Sequence, residues 1–369
     1  MGSRLGRRGR ATPKVIAGMA VGIRRPLPPM EALSADEIPT GSQWQYEPKW
    51  DGFRCIVFRD GNKVELQSKS GRSLTRYFPE LVGAVADLKV QRFVADGEIV
   101  VPVGGAFSFD ALLQRIHPAA SRVGRLATET PALLILFDLL ADPDGGSLLE
   151  NTLDVRRCEL EAFFRKYCRT APRLRLSPVT TRLADAKSWL KRTGAMLDGV
   201  IAKRRDLPYQ SGNRNGMHKI KNYRSADCTV GGFRYNEGKP LVGSLLLGLY
   251  DKNGLLHYVG FTSSIRQQDK LALTAKLKPL IAAPGFTGDA PGAPSRWSNG
   301  RSAAWQPLRP KLVVEVSYDH FSGGRFRHGT TLLRWRPDKA PLQCTFDQVR
   351  QLKRSMMALL SDSNRAAAR

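Results

Sequence analysis

Apolar and polar residues alternate in short runs over the first part of the chain, a period that predicts β-strands. Residues 55–58 and 64–68 form two such runs, and the Asp60-Gly61 turn between them predicts a β-hairpin. Residues 132–140 are almost continuously apolar, as in a strand buried on both faces. Apolar residues at helical spacing predict helices at 109–116, 153–167 and 184–193. Because no regular βαβ repeat links these elements, the pattern predicts an α+β domain with antiparallel sheets.

The pattern changes after residue 224. Short strand signals recur there, with one helical segment near 265–280, which predicts a small β-barrel of the OB type. The strand signals are 228–233, 243–250, 255–261, 313–318 and 331–336. The predicted domains are a flexible basic arm at 1–24, the α+β domain at 25–224, the OB-fold barrel at 225–345, and a short C-terminal helix and tail at 346–369.

The amino-acid composition limits the class of protein and the setting in which it acts. A chain of 369 residues, 42% of them hydrophobic, is long enough for two packed domains. No apolar run reaches the roughly 18 residues that a membrane helix requires, so we expect a soluble protein with no membrane contact. The five cysteines are an odd number without Cys-x-x-Cys spacing, which argues against a zinc site or a disulfide framework and favours a reducing, cytoplasmic setting.

The formal net charge of +25 is the strongest compositional signal. A polyanion releases its condensed counterions when lysines and arginines neutralise it, so nucleic acid is the first expected partner. A basic protein without such a partner is the alternative. A membrane surface is disfavoured, because no basic amphipathic helix is evident.

The first candidate for chemistry is the stretch Glu47-Pro48-Lys49-Trp50-Asp51-Gly52-Phe53-Arg54. Lys49 is a nucleophile if its amine loses its proton near neutral pH, which desolvation or neighbouring positive charge favours. Gly52 permits close approach of a ligand to the backbone, and Asp51 can hold charge beside the amine. The alternative is a solvated lysine at the start of a hairpin.

Further candidates follow in order, each with a plainer alternative. Glu98 lies in a strand signal where a charge suggests a ligand, although Asp-Gly also marks turns. Phe137 ends an apolar run and can stack on a base, although it equally suits a core. Asp198 and Lys203 flank a short strand with the carboxylate and cation that Mg²⁺ and phosphates require. The pair Lys219 and Lys221 points to one face of a strand, whether toward phosphates or toward solvent.

Taken together, these stretches resemble the motifs of the covalent nucleotidyltransferases, the family of ATP-dependent DNA ligases, RNA ligases and capping enzymes. Ser68-Lys69-Ser70-Gly71-Arg72 is similar to the motif after the first hairpin, and Arg334-Trp335-Arg336-Pro337-Asp338-Lys339 to the motif at the end of the OB domain. Three positions depart from the family pattern: Lys69 stands where arginine is preferred, Asp198 where glutamate is usual, and Met217-His218 where a tryptophan often precedes the lysine pair.

The resemblance implies a nucleotidyltransferase (adenylation) domain followed by the OB-fold domain, with a role for each candidate. Lys49 would attack the α-phosphate of ATP, Glu98 would bind the nucleotide sugar or a metal, and Phe137 would stack on adenine. The implied catalytic residues are Lys49, Asp51 and Arg54. The implied nucleotide-binding residues are Glu47, Lys49, Arg54, Lys69, Glu98, Phe137, Lys203, Lys219, Lys221, Arg336, Asp338 and Lys339. The implied metal ligands, for Mg²⁺ or Mn²⁺, are Glu98 and Asp198.

Within the family, the chain is most similar to the small bacterial DNA ligases of the ligase C group, and next to the ligase module of ligase D. Residues 76–81, 114–118 and 325–328 carry that likeness together with the first motif. It implies three nucleotidyl transfers that seal 5′-phosphate and 3′-hydroxyl breaks in nicked or broken duplex DNA during repair, by a monomer. A primase-like repair polymerase or the end-binding protein Ku are implied partners.

Two alternatives stay open at this point. An RNA ligase or a capping-type guanylyltransferase has the same first motif, and it would differ in its nucleotide and in the strand it joins. A non-catalytic basic protein that has kept the scaffold would bind DNA in a salt-sensitive way without forming a covalent nucleotide.

Overall fold

The computed structural model describes residues 18–20, 22–192, 197–292, 304–349 and 360. The chain divides into two compact units, the first comprising residues 1–221 and 353–369 and the second residues 222–352. The division falls after Lys221, whereas the sequence pattern predicts the change of domain after residue 224. Within the described part of the chain, no helix has the length and apolarity needed to cross a bilayer.

Strands outnumber helices in the first unit. Its strands are β1 Gly18–Ala20, β2 Ile23–Arg25, β3 Leu33–Ser34, β4 Trp44–Lys49, β5 Phe53–Asp60, β6 Lys63–Ser68, β7 Arg92–Val100, β8 Pro102–Val103, β9 Ala106–Phe107, β10 Leu133–Ala141, β11 Leu174–Leu176, β12 Gly199–Arg204 and β13 Met217–Lys221. Its helices are α1 Pro79–Ala86, α2 Phe109–Gln114, α3 Ala120–Glu129, α4 Leu153–Phe163 and α5 Leu183–Arg192. The predicted hairpin over the Asp60-Gly61 turn is strands β5 and β6.

Two larger sheets organise this unit. One has the order β11-β10-β7-β5-β6 and the other β3-β13-β12-β4. Most pairs are antiparallel, and the short edge strands β11 and β3 pair in parallel. The predicted α+β class with antiparallel sheets is therefore confirmed.

Strand β10 explains the continuous apolar run in the sequence, because every one of its residues is buried. Leu134 and Leu136 point into the main core, where strand β10 packs against helix α4. Leu133, Ile135 and Phe137 belong to a second cluster, which also contains Trp50. Since successive side chains alternate between faces, the strand has no solvent face and therefore no polar alternation. This alternation also turns Phe137 toward the side of the sheet where the first motif lies.

The predicted basic arm ends earlier than residue 24. Strands β1 and β2 pair in an antiparallel hairpin, and Ile23 is 2% exposed. Its side chain belongs to a buried cluster with Phe58 and Leu140, so this apolar residue anchors the segment to the fold. Residues 1–17 of the arm lie outside the described residues, as does the predicted C-terminal helix and tail beyond residue 349 except for Leu360.

The second unit is built from one larger sheet and a two-stranded sheet. Its strands are β14 Arg224–Tyr235, β15 Val242–Tyr250, β16 Leu256–Thr262, β17 Gln306–Pro307, β18 Val313–Tyr318, β19 Phe321–Ser322, β20 Arg325–Phe326 and β21 Thr331–Trp335, with one helix, α6 Lys270–Leu277. The larger sheet has the order β16-β15-β14-β18-β21, and the two-stranded sheet consists of β19 and β20. Strand β14 begins at Arg224, four residues before the predicted start, because Arg224 pairs with Tyr318 at the end of the antiparallel strand β18.

The two edge strands of this sheet meet. Thr262 at the end of β16 forms a parallel bridge with Thr330, just before β21. The Thr330 amide donates to the Phe261 carbonyl at 3.1 Å, and the Thr262 hydroxyl donates to the Thr330 carbonyl at 2.8 Å. These bonds join the edges and leave the apolar faces of β14, β15 and β18 inside. The predicted small β-barrel is confirmed.

Candidate active site

Lys49 is the last residue of β4, and strand pairing sets its surroundings. It lies opposite Gly199 of β12, and the Asp198 amide donates to the Lys49 carbonyl at 3.1 Å. The side chain of Asp198 is thereby brought to Lys49, whose Nζ donates to Asp198 Oδ2. The Lys49 side chain is 22% exposed and that of Asp198 is 8% exposed. A partly accessible amine is therefore held against a buried carboxylate at a strand end.

Two glycines allow this arrangement. Gly199 has φ +145°, and a Cβ there would lie 1.9 Å from the Ile220 carbonyl oxygen. At Gly52 a Cβ would lie 2.2 Å from the Ile99 carbonyl oxygen. Any side chain at either position would push apart strands that carry the site. The glycines of both motifs thus serve backbone packing.

Arg54 and Asp96 form a bidentate ion pair across strands β5 and β7. Arg54 Nε donates to Asp96 Oδ1 at 2.6 Å and Nη2 donates to Oδ2 at 2.7 Å. Burial alone would lower the pKa of Arg54, but the charge and hydrogen bonds of Asp96 outweigh it and raise that pKa. Asp96 is fully buried. Its oxygen Oδ2 also accepts a hydrogen bond from the Tyr209 hydroxyl at 2.6 Å.

Glu98 lies directly opposite Arg54 on β7. Burial raises the pKa of Glu98 to about 7, and the positive charges of Arg54 and Lys49 oppose that rise. The carboxylates of Asp51 and Asp96 add to it. Asp51, in the turn between β4 and β5, therefore lies within electrostatic range of Glu98. The structure brings all five of these charged groups together.

Phe137 faces the same site from β10. The Arg54 guanidinium carbon and Lys203 Nζ each lie 4.5 Å from the centre of its ring. Phe137 is 6% exposed and, with Lys49 and Glu98, lines a cavity of ≈ 110 Å³. Ligand pockets usually measure about 300–1,000 Å³, so a stacked base would require the two cations beside the ring to shift.

Glu47 and Lys203 form a buried pair that also lines this cavity. Lys203 Nζ donates to Glu47 Oε2 at 2.9 Å, and the Gln45 amide donates to Glu47 Oε1 at 3.0 Å. Glu47 is 2% exposed and Lys203 5% exposed. Both come from the paired strands β4 and β12, which places them beside Phe137. The arrangement offers a carboxylate and an ammonium group to a ligand.

The lysine pair is on β13, next to β12. Lys221 lies opposite Gly199 and Lys219 opposite Ile201. Burial lowers the pKa of Lys219, and the positive charges of Lys49 and Lys221 lower it further. Lys219 is therefore close enough to Lys49 for the two ammonium groups to repel one another. A phosphate ligand would relieve that repulsion.

Lys69 lies apart from the small cavity, on the wall of a larger cleft of ≈ 800 Å³. Its side chain is 62% exposed and pairs with Glu31 at 3.2 Å. Arg72 lines the same cleft, and Arg54 and Glu98 line both the cleft and the small cavity. These last two residues therefore connect the two spaces.

Arg336, Asp338 and Lys339 lie in the second unit, just after β21. Arg336 donates to Asp338 Oδ2 at 2.8 Å, and both Arg336 and Lys339 donate to Asp227. The hydrogen bond from Arg336 lowers the pKa of Asp338 to about 2. The structure thus brings the three motif residues together around a fourth residue, Asp227.

A metal has fewer protein ligands here than a closed site would need. Among the described residues, no group of three or more His, Cys, Asp or Glu side chains is arranged to hold a metal ion. Mg²⁺ in nucleotide sites is commonly bound by one or two carboxylates together with substrate phosphates and water. Glu98 and Asp198 fit that requirement, because both carboxylates lie beside Lys49.

Sequence reasoning missed two residues of these networks. Tyr209 bridges Asp96 and the Met30 amide, which donates to its hydroxyl at 3.0 Å. Asp227 holds Arg336 and Lys339. Neither lies in a recognisable motif, and each is more than a hundred residues from its charged partner in sequence. Only the Pro208-Tyr209 turn gives a weak local signal for the tyrosine.

The two folds and the lysine held at the end of β4 define the class: a nucleotidyltransferase domain joined to an OB-fold domain. The family model described as "ATP dependent DNA ligase domain" matches residues 29–221, and the one described as "ATP dependent DNA ligase C terminal region" matches residues 238–339. The chain therefore belongs to the ATP-dependent DNA ligases, and it is an enzyme of that family. The family predicted from the sequence is confirmed.

Relatives narrow the position within the family. The chain is 46% identical over 343 residues to "DNA ligase C1" of Mycolicibacterium smegmatis, covering 90% of this chain and 96% of the relative. It is 41% identical over 358 residues to "DNA ligase C" of Mycobacterium tuberculosis, covering 93% and 98%. It is 34% identical over 311 residues to "Multifunctional non-homologous end joining DNA repair protein LigD" of the same species, covering 81% of this chain and 37% of that protein.

Solved structures give the same fold. A Lig E DNA ligase superposes with a TM-score of 0.54 at 16% identity, covering 84% of this chain and 98% of that chain. At this identity the likeness concerns the fold alone.

Proposed function

We propose that the chain joins DNA through a covalent intermediate in which Lys49 carries AMP from ATP. The observation that supports this most directly is the contact of Lys49 Nζ with Asp198 beside a cavity that Glu98 and Phe137 also line. A lysine reacts as a nucleophile only as the free amine. In the proposed first step the Lys49 ammonium loses a proton to water, and the free Nζ bonds to the α-phosphorus while the bond from that phosphorus to the bridging oxygen of the β-phosphate breaks. The second Nζ proton is lost to water as the phosphorus–nitrogen bond forms.

The residues around Lys49 have distinct proposed roles. Phe137 stacks on the base, while Glu47 and Lys203 bind its edge. Arg54 and Glu98 hold the ribose and the α-phosphate. Lys219 and Lys221 balance the charge of the phosphates. The support is their shared position on the paired strands β4, β12 and β13 and on the paired strands β5, β7 and β10.

The leaving pyrophosphate has its own proposed partners, Arg336, Asp338 and Lys339. A bound Mg²⁺, for which Glu98 and Asp198 are the proposed ligands, would neutralise phosphate charge and polarise the reacting phosphoryl group. In the second step the 5′-phosphate of the DNA break displaces Lys49 from AMP. In the third the 3′-hydroxyl displaces AMP and completes the phosphodiester. Lys69 and Arg72, on the larger cleft, are the proposed contacts for DNA phosphate.

The decisive experiment is incubation of the full chain with ATP labelled at the α-phosphate. We expect one AMP per chain, attached to Lys49 through a phosphorus–nitrogen bond that survives alkali and breaks in acid. Lys49→Ala abolishes the label, whereas Lys63→Ala, which changes an exposed lysine of the same unit, keeps it. Absence of AMP from the wild-type chain in the presence of Mg²⁺ or Mn²⁺ would refute the proposal.

We further propose that the substrates are nicks and broken ends of duplex DNA during repair. The support is the net charge of +25 and the likeness to a relative named for non-homologous end joining. Ku or a primase-like repair polymerase are the proposed partners. Joining of nicked, gapped and cohesive-ended duplexes, each with and without the purified partner, tests this. A rate of end joining that the partner leaves unchanged would exclude the partnership and leave the ligase activity intact.

A further inference from the structure

Asp227 occupies the centre of the charged cluster in the second unit. It is a residue of strand β14 and is 8% exposed. Its two carboxylate oxygens are divided between two cations. Oδ1 accepts from Arg336 Nη1 at 2.9 Å, and Oδ2 accepts from Lys339 Nζ at 2.6 Å. One buried carboxylate therefore sets the separation between the guanidinium and the ammonium group.

The backbone of Asp227 is fixed as firmly as its side chain. Its amide donates to Gln348 Oε1 at 3.0 Å, and its carbonyl accepts from Gln348 Nε2 at 3.2 Å. In the sheet it lies opposite Glu315 of β18. Glu315 Oε2 is 3.9 Å from Arg336 Nη1, which adds a second, weaker constraint on the same guanidinium. Asp227 is thus a hydrogen-bond acceptor whose position is held by the sheet of the barrel.

Asp338 differs from Asp227 in its exposure. The Asp338 side chain is 62% exposed, against 11% for Asp227, although both accept from Arg336. Exposed ion pairs are screened by water and contribute little to holding a geometry, whereas a buried carboxylate is costly to leave unpaired and so keeps its partners. Asp338 is free to exchange Arg336 for another group, while Asp227 keeps Arg336 and Lys339 in place.

We propose that Asp227 is a positioning residue for the reaction of the enzyme with ATP, acting through Arg336 and Lys339. Asp227 itself touches neither nucleotide nor DNA in this role. It holds the two cations at the spacing at which they meet the leaving pyrophosphate. The inference rests on the proposed function of the Arg336, Asp338 and Lys339 motif. In this proposal Asp227 supports the first nucleotidyl transfer, from ATP to Lys49, and has no part in the last, the sealing of the DNA.

The test compares two steps in the full-length chain. Asp227→Asn keeps the shape of the side chain and removes its charge. We expect the single-turnover rate of labelling by α-labelled ATP to fall by about ten- to hundredfold, the range for losing a hydrogen bond to a charged group. Sealing of a nick that already carries AMP, measured without ATP, stays within about twofold. Asp269→Asn, an exposed carboxylate of the same unit paired with Arg266, leaves both rates unchanged.

Further variants separate positioning from folding. Asp227→Glu restores part of the labelling rate, because the charge returns. In a Lys339→Met background, Asp227→Asn has a smaller effect than in the wild type, because one of its two partners is already gone. Additive effects in this cycle would overturn the inference. So would an equal loss of both steps, since a misfolded barrel slows both.

Failure of this inference differs from failure of the proposed function. A wild-type chain that never gains AMP sinks the proposed function itself. A wild-type chain that labels normally, with Arg336→Ala slow and Asp227→Asn as fast as wild type, sinks only the role of Asp227.

Discussion

Arg54 and Asp96 form a bidentate ion pair, with Nε 2.6 Å from Oδ1 and Nη2 2.7 Å from Oδ2. The pair fixes the plane of a guanidinium whose central carbon lies 4.5 Å from the centre of the Phe137 ring. Since Asp96 is fully buried, the direction of Arg54 is set from the core of the protein. The groups that hold Asp96 in place therefore affect the geometry of the candidate nucleotide site.

Tyr209→Phe tests that support. The change removes the hydroxyl that donates to Asp96 Oδ2 at 2.6 Å and accepts from the Met30 amide at 3.0 Å. A buried hydrogen bond to a charged acceptor is worth about 1.5–3 kcal/mol, so we expect a lower unfolding midpoint in urea and a slower reaction with ATP. Tyr167→Phe, four residues beyond the end of helix α4, serves as the control. An unchanged reaction rate in the Tyr209 variant would show that Arg54 is positioned without the tyrosine.

Phe137→Leu tests base stacking. Leucine keeps the site apolar and removes the aromatic face, and stacking of a base on an aromatic ring is worth about 1–3 kcal/mol. We expect the KM for ATP in the labelling reaction to rise by about ten- to hundredfold, with a smaller effect on sealing of pre-adenylated nicks. Phe107→Leu, in the same apolar cluster beside Trp50, is the matched control. Equal changes in KM for both variants would mean that the loss comes from packing.

Asp338→Ala separates the first transfer from the last. Because Asp338 is exposed and is a proposed partner of the leaving pyrophosphate, its loss is expected to slow formation of the enzyme-AMP adduct by about tenfold or more. Sealing of nicks that already carry AMP is spared. The measurement is the ratio of the two single-turnover rates. A ratio equal to that of the wild type contradicts the role given to Asp338.

Gly199→Ala tests the close approach of strands behind Lys49. The new Cβ would lie 1.9 Å from the Ile220 carbonyl oxygen, and φ is +145°. We expect the free energy of unfolding to fall by about 2 kcal/mol or more, with loss of the reaction with ATP. Gly83→Ala is the opposite case, because this helical glycine has no neighbour within 4 Å of the added Cβ. That variant is expected to be more stable by about 0.5–1 kcal/mol.

Much of the fold follows from local pattern. The hairpin of β5 and β6 was predicted from an Asp-Gly turn between two apolar runs, and β10 from its continuous apolar residues. The barrel was predicted from recurring short strands. The sequence pattern predicts a flexible arm at 1–24, whereas residues 18–20 and 23–25 form two paired strands, because burial of Ile23 beside Phe58 anchors this segment to the fold. The local sequence does not indicate which apolar residue of such a segment is buried in the folded protein.

The sequence was enough to name residues of the candidate site, but it did not give their arrangement in space. Lys49, Glu98 and Asp198 were selected for their chemistry and order in the chain. The register that sets Lys49 opposite Gly199 and Arg54 opposite Glu98 depends on hydrogen bonds between distant strands. Local periodicity gives the face on which a residue lies but not its partner across the sheet. The roles proposed for these residues stay predictions until the variants are measured.

The sequence alone determined the family of this protein, its α+β and barrel architecture, and the identity of the lysine on which the proposed chemistry depends. All three conclusions depend on residue types and on short spacings along the chain, which are the same before and after folding. The tertiary structure decided that Tyr209 supports Asp96 and that Asp227 holds Arg336 and Lys339. The physical reason is burial: a carboxylate removed from water must find its donors wherever the fold brings them, at any distance along the chain.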